Sequence, residues 1–221
     1  MAVAPLTRRH WLSLALALIA GLVVSAFLRW LPEDGRRLTA TPVVRGVLAD
    51  PGSPWTGAAR PDVTVVVFTD YQCGICKQTD PALARLIADD PGVRVVWKDW
   101  PIRGPMSDLA ARTALAAHRQ GRYDQVHNAL MAARGPLTPD RITALAVGAG
   151  ADADRLAADL ATHAVAIDAQ LAGHHAQAFG LGLQGTPAYL VGPYLLQGGL
   201  DDRRLRHAVG KARRAGPPKS P

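Results

Sequence analysis

Cys73 and Cys76 are the only cysteines in the 221-residue chain, and Gly74 and Ile75 alone separate them. Two thiols at that spacing can close a small disulfide and reopen it, or offer two thiolates to a soft metal ion. Position decides between these uses. The pair follows the β-branched run Val63 to Thr69 and enters the helix-forming stretch Gly74 to Ala88, so Cys73 falls at a helix N-terminus. Unpaired backbone N–H groups and the helix dipole stabilise an anion there. A thiol pKa lowered from about 8.5 to about 7 raises the ionised fraction at neutral pH from a few per cent to about half. Cys73 is therefore the expected nucleophile. Cys76, one turn further in and less accessible, is expected to resolve a mixed disulfide.

Other uses of the pair are weaker on chemical grounds. A zinc site needs two more ligands, and His118, His127, His163, His174 and His175 show no tight spacing aimed at the cysteines. A purely structural bridge across so short a loop would constrain the unfolded chain little. Neither His127 nor the pair His174-His175 is expected to act in chemistry, since a histidine among helical alanines is more often packed or exposed.

The elements that must hold the pair can be read outward from it. Val63 to Thr69 is almost continuously apolar, which suits a strand buried on both faces, and Val93 to Trp97 is a second strand of the same kind. Strand, helix, strand in that order predicts a parallel pair. From Ser107 to about Gly180 the pattern turns helical, broken at Gly121, at Gly135-Pro136 and at Gly148 to Gly150. Thr138 before Pro139 reads as an N-cap, and Asp152 or Asp154 opens the next helix. Ala188 to Val191 and Tyr194 to Gln197 read as a hairpin about Gly192-Pro193, followed by a basic helix from about Asp201 to Ala212.

In this setting the chain resembles the thioredoxin-like disulfide oxidoreductases, and within them the DsbA-like branch, over roughly Val47 to Ala212. Three features carry the likeness. The stretch Phe68-Thr69-Asp70-Tyr71-Gln72-Cys73-Gly74-Ile75-Cys76-Lys77 is similar to the family's active-site segment. Pro81 stands eight residues after Cys73, where the family places a helix-kinking proline. Gly185-Thr186-Pro187-Ala188 stands where the family has a cis-proline loop facing the cysteines.

The resemblance implies an α/β thioredoxin-like fold with an inserted helical subdomain at about 107–180. It also implies a cis Pro187, with the Thr186 backbone pairing to an extended substrate beside Cys73. Lys98-Asp99-Trp100-Pro101-Ile102 looks like the family's strand exit before the insertion. Lys98 is there either a buried charge that tunes the thiols or an exposed strand-end lysine.

The rest of the chain sets the compartment. Its formal charge is +7 with pI near 10, but the Lys and Arg are dispersed and aromatic residues make up 5%, a weak footprint for nucleic acid. Leu12 to Leu28 carries no charge, and Trp11 and Trp30 bracket it roughly 28 Å apart along a helix, close to the thickness of a hydrocarbon core. That predicts a single N-terminal transmembrane anchor over 11–31. The small residues Val24-Ser25-Ala26 offer cleavage after Ala26 as the alternative. Arg8 and Arg9 in the basic head, 1–10, fit either a plain n-region or a twin-arginine signal. The stretch 32–62 reads as a linker with a small edge element around Val43 to Leu48, 63–212 as the catalytic domain, and 213–221 as a frayed tail.

These readings converge on a thiol-disulfide oxidoreductase in a bacterial inner membrane, its catalytic domain in the periplasm, exchanging disulfides with exported proteins. Its redox group is the Cys73-Cys76 disulfide, with no other cofactor, and a membrane redox partner must recycle the pair. Oxidase is the preferred direction. Gly74-Ile75 has neither the His of many strongly oxidising relatives nor the Pro of thioredoxin, which leaves reductase and isomerase as alternatives. A membrane-anchored copper-binding module is the rival from another class.

Overall fold

A computed structural model describes residues 10, 14, 16–23 and 35–216. The chain divides into two units, Met1–Glu33 and Asp34–Pro221. In the first, residues 16–23 are helical and exposed. No helix among the described residues is long and apolar enough to cross a membrane. Trp11, Trp30 and the cleavage position at Ala26, on which the anchor and signal expectations rest, lie outside the described residues, as does the tail from residue 217.

The second unit is built on one six-stranded mixed sheet. In chain order its elements are β1 (Arg36–Arg37), α1 (Pro42–Leu48), β2 (Trp55–Gly57), β3 (Val63–Thr69), α2 (Gly74–Asp89) and β4 (Val93–Asp99). Five helices follow: α3 (Pro105–His118), α4 (Tyr123–Ala132), α5 (Pro139–Gly148), α6 (Ala153–Thr162) and α7 (Ala164–Gly180). The hairpin β5 (Ala188–Val191) and β6 (Tyr194–Gln197) and the final helix α8 (Asp202–Ala215) complete the unit. Strand order is β1-β6-β5-β3-β4-β2. β3 and β4 run parallel from Val63 opposite Val93 to Thr69 opposite Asp99, as the strand, helix, strand order predicts. The other neighbours pair antiparallel.

Alternation along the central strands divides the core in two. On one face Val65 and Val67 of β3 and Val95 and Trp97 of β4 pack with Leu83 and Leu86 of α2, with α8 and with much of the inserted block; both cysteines lie in this layer. On the other face Val66, Phe68, Val96 and Trp100 meet Val44 and Val47 of α1 and Ala178 at the end of α7.

Local chemistry explains most boundaries. Thr138, Asp152 and Asp201 cap α5, α6 and α8 by accepting the N–H of Arg141, Arg155 and Arg204 at 3.3, 2.8 and 2.8 Å. Two expectations change. The edge element placed at Val43 to Leu48 is helix α1: Thr41 accepts the Val44 N–H at 3.3 Å and Pro42 follows at the first helical position, so cap chemistry overrides β-branched content. The true edges are β1 and β2, so residues 35–62 contribute structure to the domain. The inserted block also breaks at His163, between α6 and α7, with no glycine or proline to mark it.

Candidate active site

β3 delivers the chain to its C-terminal end, and residues 70–72 turn it into α2. Asp70 shapes that turn. Its carboxylate accepts the Gln72 N–H at 2.7 Å, the Ser107 hydroxyl at 2.7 Å and the backbone N–H groups of Ile102 and Arg103 at 2.8 and 3.1 Å. One buried side chain thus ties the turn to the loop after β4 and to the first turn of α3.

Cys73 is the N-cap of α2: its sulfur accepts the Cys76 N–H at 3.2 Å. The thiol can donate to the Thr186 carbonyl at 3.4 Å. The Thr186-Pro187 bond is cis. Both cysteines are free thiols, and their exposures are 0% and 2%, so the expected difference in accessibility is absent. What separates them is charge. The hydrogen bonds from the Cys76 thiol and the Cys76 N–H, with Arg103 nearby, bring the Cys73 pKa down to about 5 against the opposing effect of burial. The same Cys73 hydrogen bond, together with burial, pushes the Cys76 thiol up, so it holds its proton.

The rest of the motif faces outward. Gly74 is exposed and the Ile75 side chain is half-exposed beside the thiols. Gly199, after β6, lies so close to this first turn that a Cβ there would sit 2.8 Å from Ile75 and from Thr79. Pro81 is inside α2. The structure thus brings Cys73, Cys76, Gly74, Ile75, Thr186 and Pro187 to one place.

Lys98 is fully buried, but it does not tune the thiols. Period-two alternation puts it on the sheet face away from the cysteines, where it pairs with Asp50 and donates to Ser53 Oγ at 2.9 Å. His174 belongs to the same cluster: Nε2 meets Ser53 Oγ at 3.0 Å and Nδ1 meets the Asp99 carbonyl at 3.0 Å. Burial brings its pKa down to about 4.

On the cysteine face lies a set of polar residues to which the sequence pointed no role. Tyr123 donates to Asp99 at 3.1 Å, Tyr71 meets Tyr123 at 3.4 Å and His127 Nδ1 at 3.0 Å, and His127 Nε2 meets Asp80 at 3.0 Å. They come from β4, α4, the active-site turn and α2, so no local spacing announces them. Lys77 adds a tether, donating to the carbonyls of Leu130 and Ala133 at 2.7 and 2.9 Å, at the end of α4. Among the described residues no group of three or more His, Cys, Asp or Glu could hold a metal ion.

The model of the DSBA-like thioredoxin domain matches residues 64–210. A thioredoxin-like oxidoreductase from Silicibacter pomeroyi is 38% identical and superposes with a TM-score of 0.74 over 78% of this chain and 98% of that one. A periplasmic thioredoxin-like protein from Salmonella enterica is 32% identical, with a TM-score of 0.68 over 78% and 96%. The thiol-disulfide exchange protein alpha-DsbA2 from Wolbachia pipientis is 28% identical, with a TM-score of 0.73 over 76% and 90%. Among curated relatives, the Na(+)/H(+) antiporter NhaA 1 of Salinispora arenicola is 31% identical over 160 residues, 71% of this chain and 24% of that protein. The chain therefore spans about a quarter of the length of the first curated relatives it matches.

Proposed function

The chain belongs to the DSBA-like thioredoxin-domain family of oxidoreductases, and from that premise we propose that Cys73 and Cys76 donate their disulfide to the thiols of exported proteins. One observation carries this reading: the Cys73 sulfur caps α2, accepts the Cys76 N–H at 3.2 Å and has its pKa brought down to about 5. At neutral pH it is a thiolate in the reduced protein. Stabilising the reduced form makes the disulfide easier to reduce, raising its potential by about 60 mV over that of an ordinary thiol pair. That favours a donor of disulfides over a reductant.

In the forward reaction a substrate thiolate attacks Cys73 Sγ, forming a mixed disulfide and expelling Cys76, which takes up a proton. A second substrate thiolate then attacks the substrate sulfur and releases Cys73 as a thiolate, for which a low pKa makes it a good leaving group. The substrate strand pairs with the Thr186 backbone beside Pro187, and Ile75 offers apolar contact. The redox group is the cysteine pair itself. Each turnover leaves a dithiol, so a membrane redox partner must reoxidise it.

We place the domain outside the cytoplasm, tethered to the inner membrane through 11–31 or released into the periplasm by cleavage near Ala26. Two likenesses support this placement: the periplasmic Salmonella neighbour, and the occurrence of the matched segment in proteins named as Na(+)/H(+) antiporters. Removing the resolving thiol tests the reaction. Cys76→Ala should accumulate covalent partners on Cys73, visible on a non-reducing gel, and their absence would sink the exchange chemistry. Equilibration with glutathione tests the direction: a potential above about -180 mV fits a donor, and one below about -250 mV a reductant.

A further inference from the structure

Arg36, Arg37 and Arg45, all exposed, gather at the β1 edge of the sheet. Arg36 and Arg37 line a pocket of about 260 Å³ together with Thr39, Thr41, Gly180 and Leu181, and Arg36 donates to the Leu181 carbonyl at 3.1 Å. Arg45 of α1 donates to the Ala40 carbonyl, which brings its guanidinium beside the same pocket. Lys211 of α8 extends the margin: its Nζ lies 4.5 Å from the centre of the Tyr194 ring, over which Arg37 lies at 5.8 Å. Arginines on the far side of α8 are neutralised, Arg206 by Asp89 and Arg213 by Asp62 and Asp90. Among the described residues no carboxylate pairs with Arg36, Arg37 or Arg45.

Apolar surface adjoins these cations. Phe179, next to last in α7, is 80% exposed, and Val43 of α1 is 39% exposed. The Gly180 backbone comes so close to Val43 that a Cβ there would lie 3.1 Å from its Cγ1, so Phe179 and Val43 mark one junction of α1 and α7. An aromatic ring left in water beside unneutralised arginines suits a surface that meets phospholipid, where apolar area enters the acyl boundary and cations meet phosphate. Chain length points the same way. The tether proposed above ends at residue 31 and Arg36 is five residues further on, so an extended chain holds it no more than roughly 17 Å from the end of that tether.

We propose that this margin docks on an anionic phospholipid bilayer, with lipid phosphate at Arg36, Arg37 and Arg45 and the Phe179 ring among the headgroups. The proposal rests on the membrane tether of the preceding reading. Charge disfavours a second copy of the chain as the occupant, since two-fold pairing of this margin would set arginine against arginine. Leu38, Val44 and Leu181 beneath the margin belong to the core layer on the sheet face away from the cysteines. Cys73 and Cys76 lie in the other layer, so they are not the part of the domain that meets lipid. Docking would hold the domain in one orientation at the surface where its redox partner resides.

The test uses the full chain reconstituted with vesicles of phosphatidylcholine alone or mixed with phosphatidylglycerol, and reads hydrogen exchange at residues 36–48 and 176–184 by mass spectrometry. Three arginines at about fivefold each favour the docked state about 100-fold on the anionic vesicles, so exchange there should be slower by about tenfold or more. The difference should vanish near 1 M salt, where screening acts within about 3 Å. Arg36→Gln combined with Arg37→Gln removes about 25-fold of the preference and should bring exchange close to the rate on neutral vesicles. Phe179→Ser, at a side chain that packs little, should fold and reduce the protection. Equal exchange of the unaltered chain on both vesicles would overturn the docking, and the tether survives that result if the chain resists salt extraction. Protection of the same size on neutral vesicles would mean another cover and would also overturn it. A chain that washes off neutral vesicles would overturn the tether alone, and docking is then read by co-sedimentation with the anionic vesicles. Binding about 25-fold weaker for the double arginine variant supports it there, and unchanged binding overturns it.

Discussion

Adjacent residues of β4 bury opposite charges on opposite faces of one sheet, and they are accommodated in opposite ways. Lys98, on the face toward α1 and α7, has a carboxylate partner in Asp50, whose own pKa comes down to about 2 because the Lys98 hydrogen bond and charge outweigh burial. Asp99, on the cysteine face, is bonded to tyrosine hydroxyls, and burial pushes its pKa up to about 6. A paired charge is fixed and serves the structure. A carboxyl held by neutral donors can change its protonation near physiological pH, and it lies on the side where thiols gain and lose protons.

The contrast can be broken at either end. The largest effect is expected from Asp50→Asn, which strands a fully buried ammonium: stability should fall by about 4 kcal/mol in urea unfolding, with the Cys73 ionisation, read from thiolate absorbance, unmoved. Asp99→Asn should do the reverse, raising stability by about 3 kcal/mol at neutral pH. The two carboxyls also act in opposite pH windows. The Asp50 contribution is complete above an unfolded pKa of about 4 and is lost as pH falls through about 2. That of Asp99 is complete below about 4 and is lost as pH rises through about 6, so the gain from Asp99→Asn should vanish near pH 4. An Asp99→Asn protein as unstable at neutral pH as the parent would refute the contrast. The smallest effect is expected from Lys77→Met, which removes two bonds to the end of α4 on the cysteine face. It should lose about 2 kcal/mol by thermal unfolding and leave the Lys98 pair untouched.

Where chemistry depends on neighbours in sequence, the residues were readable in advance. Cys73 and Cys76 follow a strand and open a helix, visible as spacing and order, while Pro81 and Thr186-Pro187 stood out through the resemblance to the family. Where it depends on neighbours in space, they were not. Asp50 is 48 residues from Lys98, and Tyr123 and His127 reach the active-site turn from 52 and 56 residues away. For the same reason Lys98 was legible as a candidate buried charge but its face was not, because a slip of one residue in a strand exchanges the two sides. α1 was missed on a different ground: Val43, Val44 and Val47 satisfy strand preference as well as a helical stripe, and only the Thr41 cap separates the two.

The outer strands of the sheet are two and three residues long, and the first is Arg36–Arg37. At the other margin Arg94 lies over the half-exposed Trp55 ring at 4.3 Å. Short, cationic margins offer an incoming chain few unpaired backbone groups to zip onto. Under the proposed function, in which partners arrive unfolded with bare strands of their own, longer edges would seed their clumping. Such margins would leave a partner's extended segment to meet the chain at the proposed substrate loop of Thr186 and Pro187.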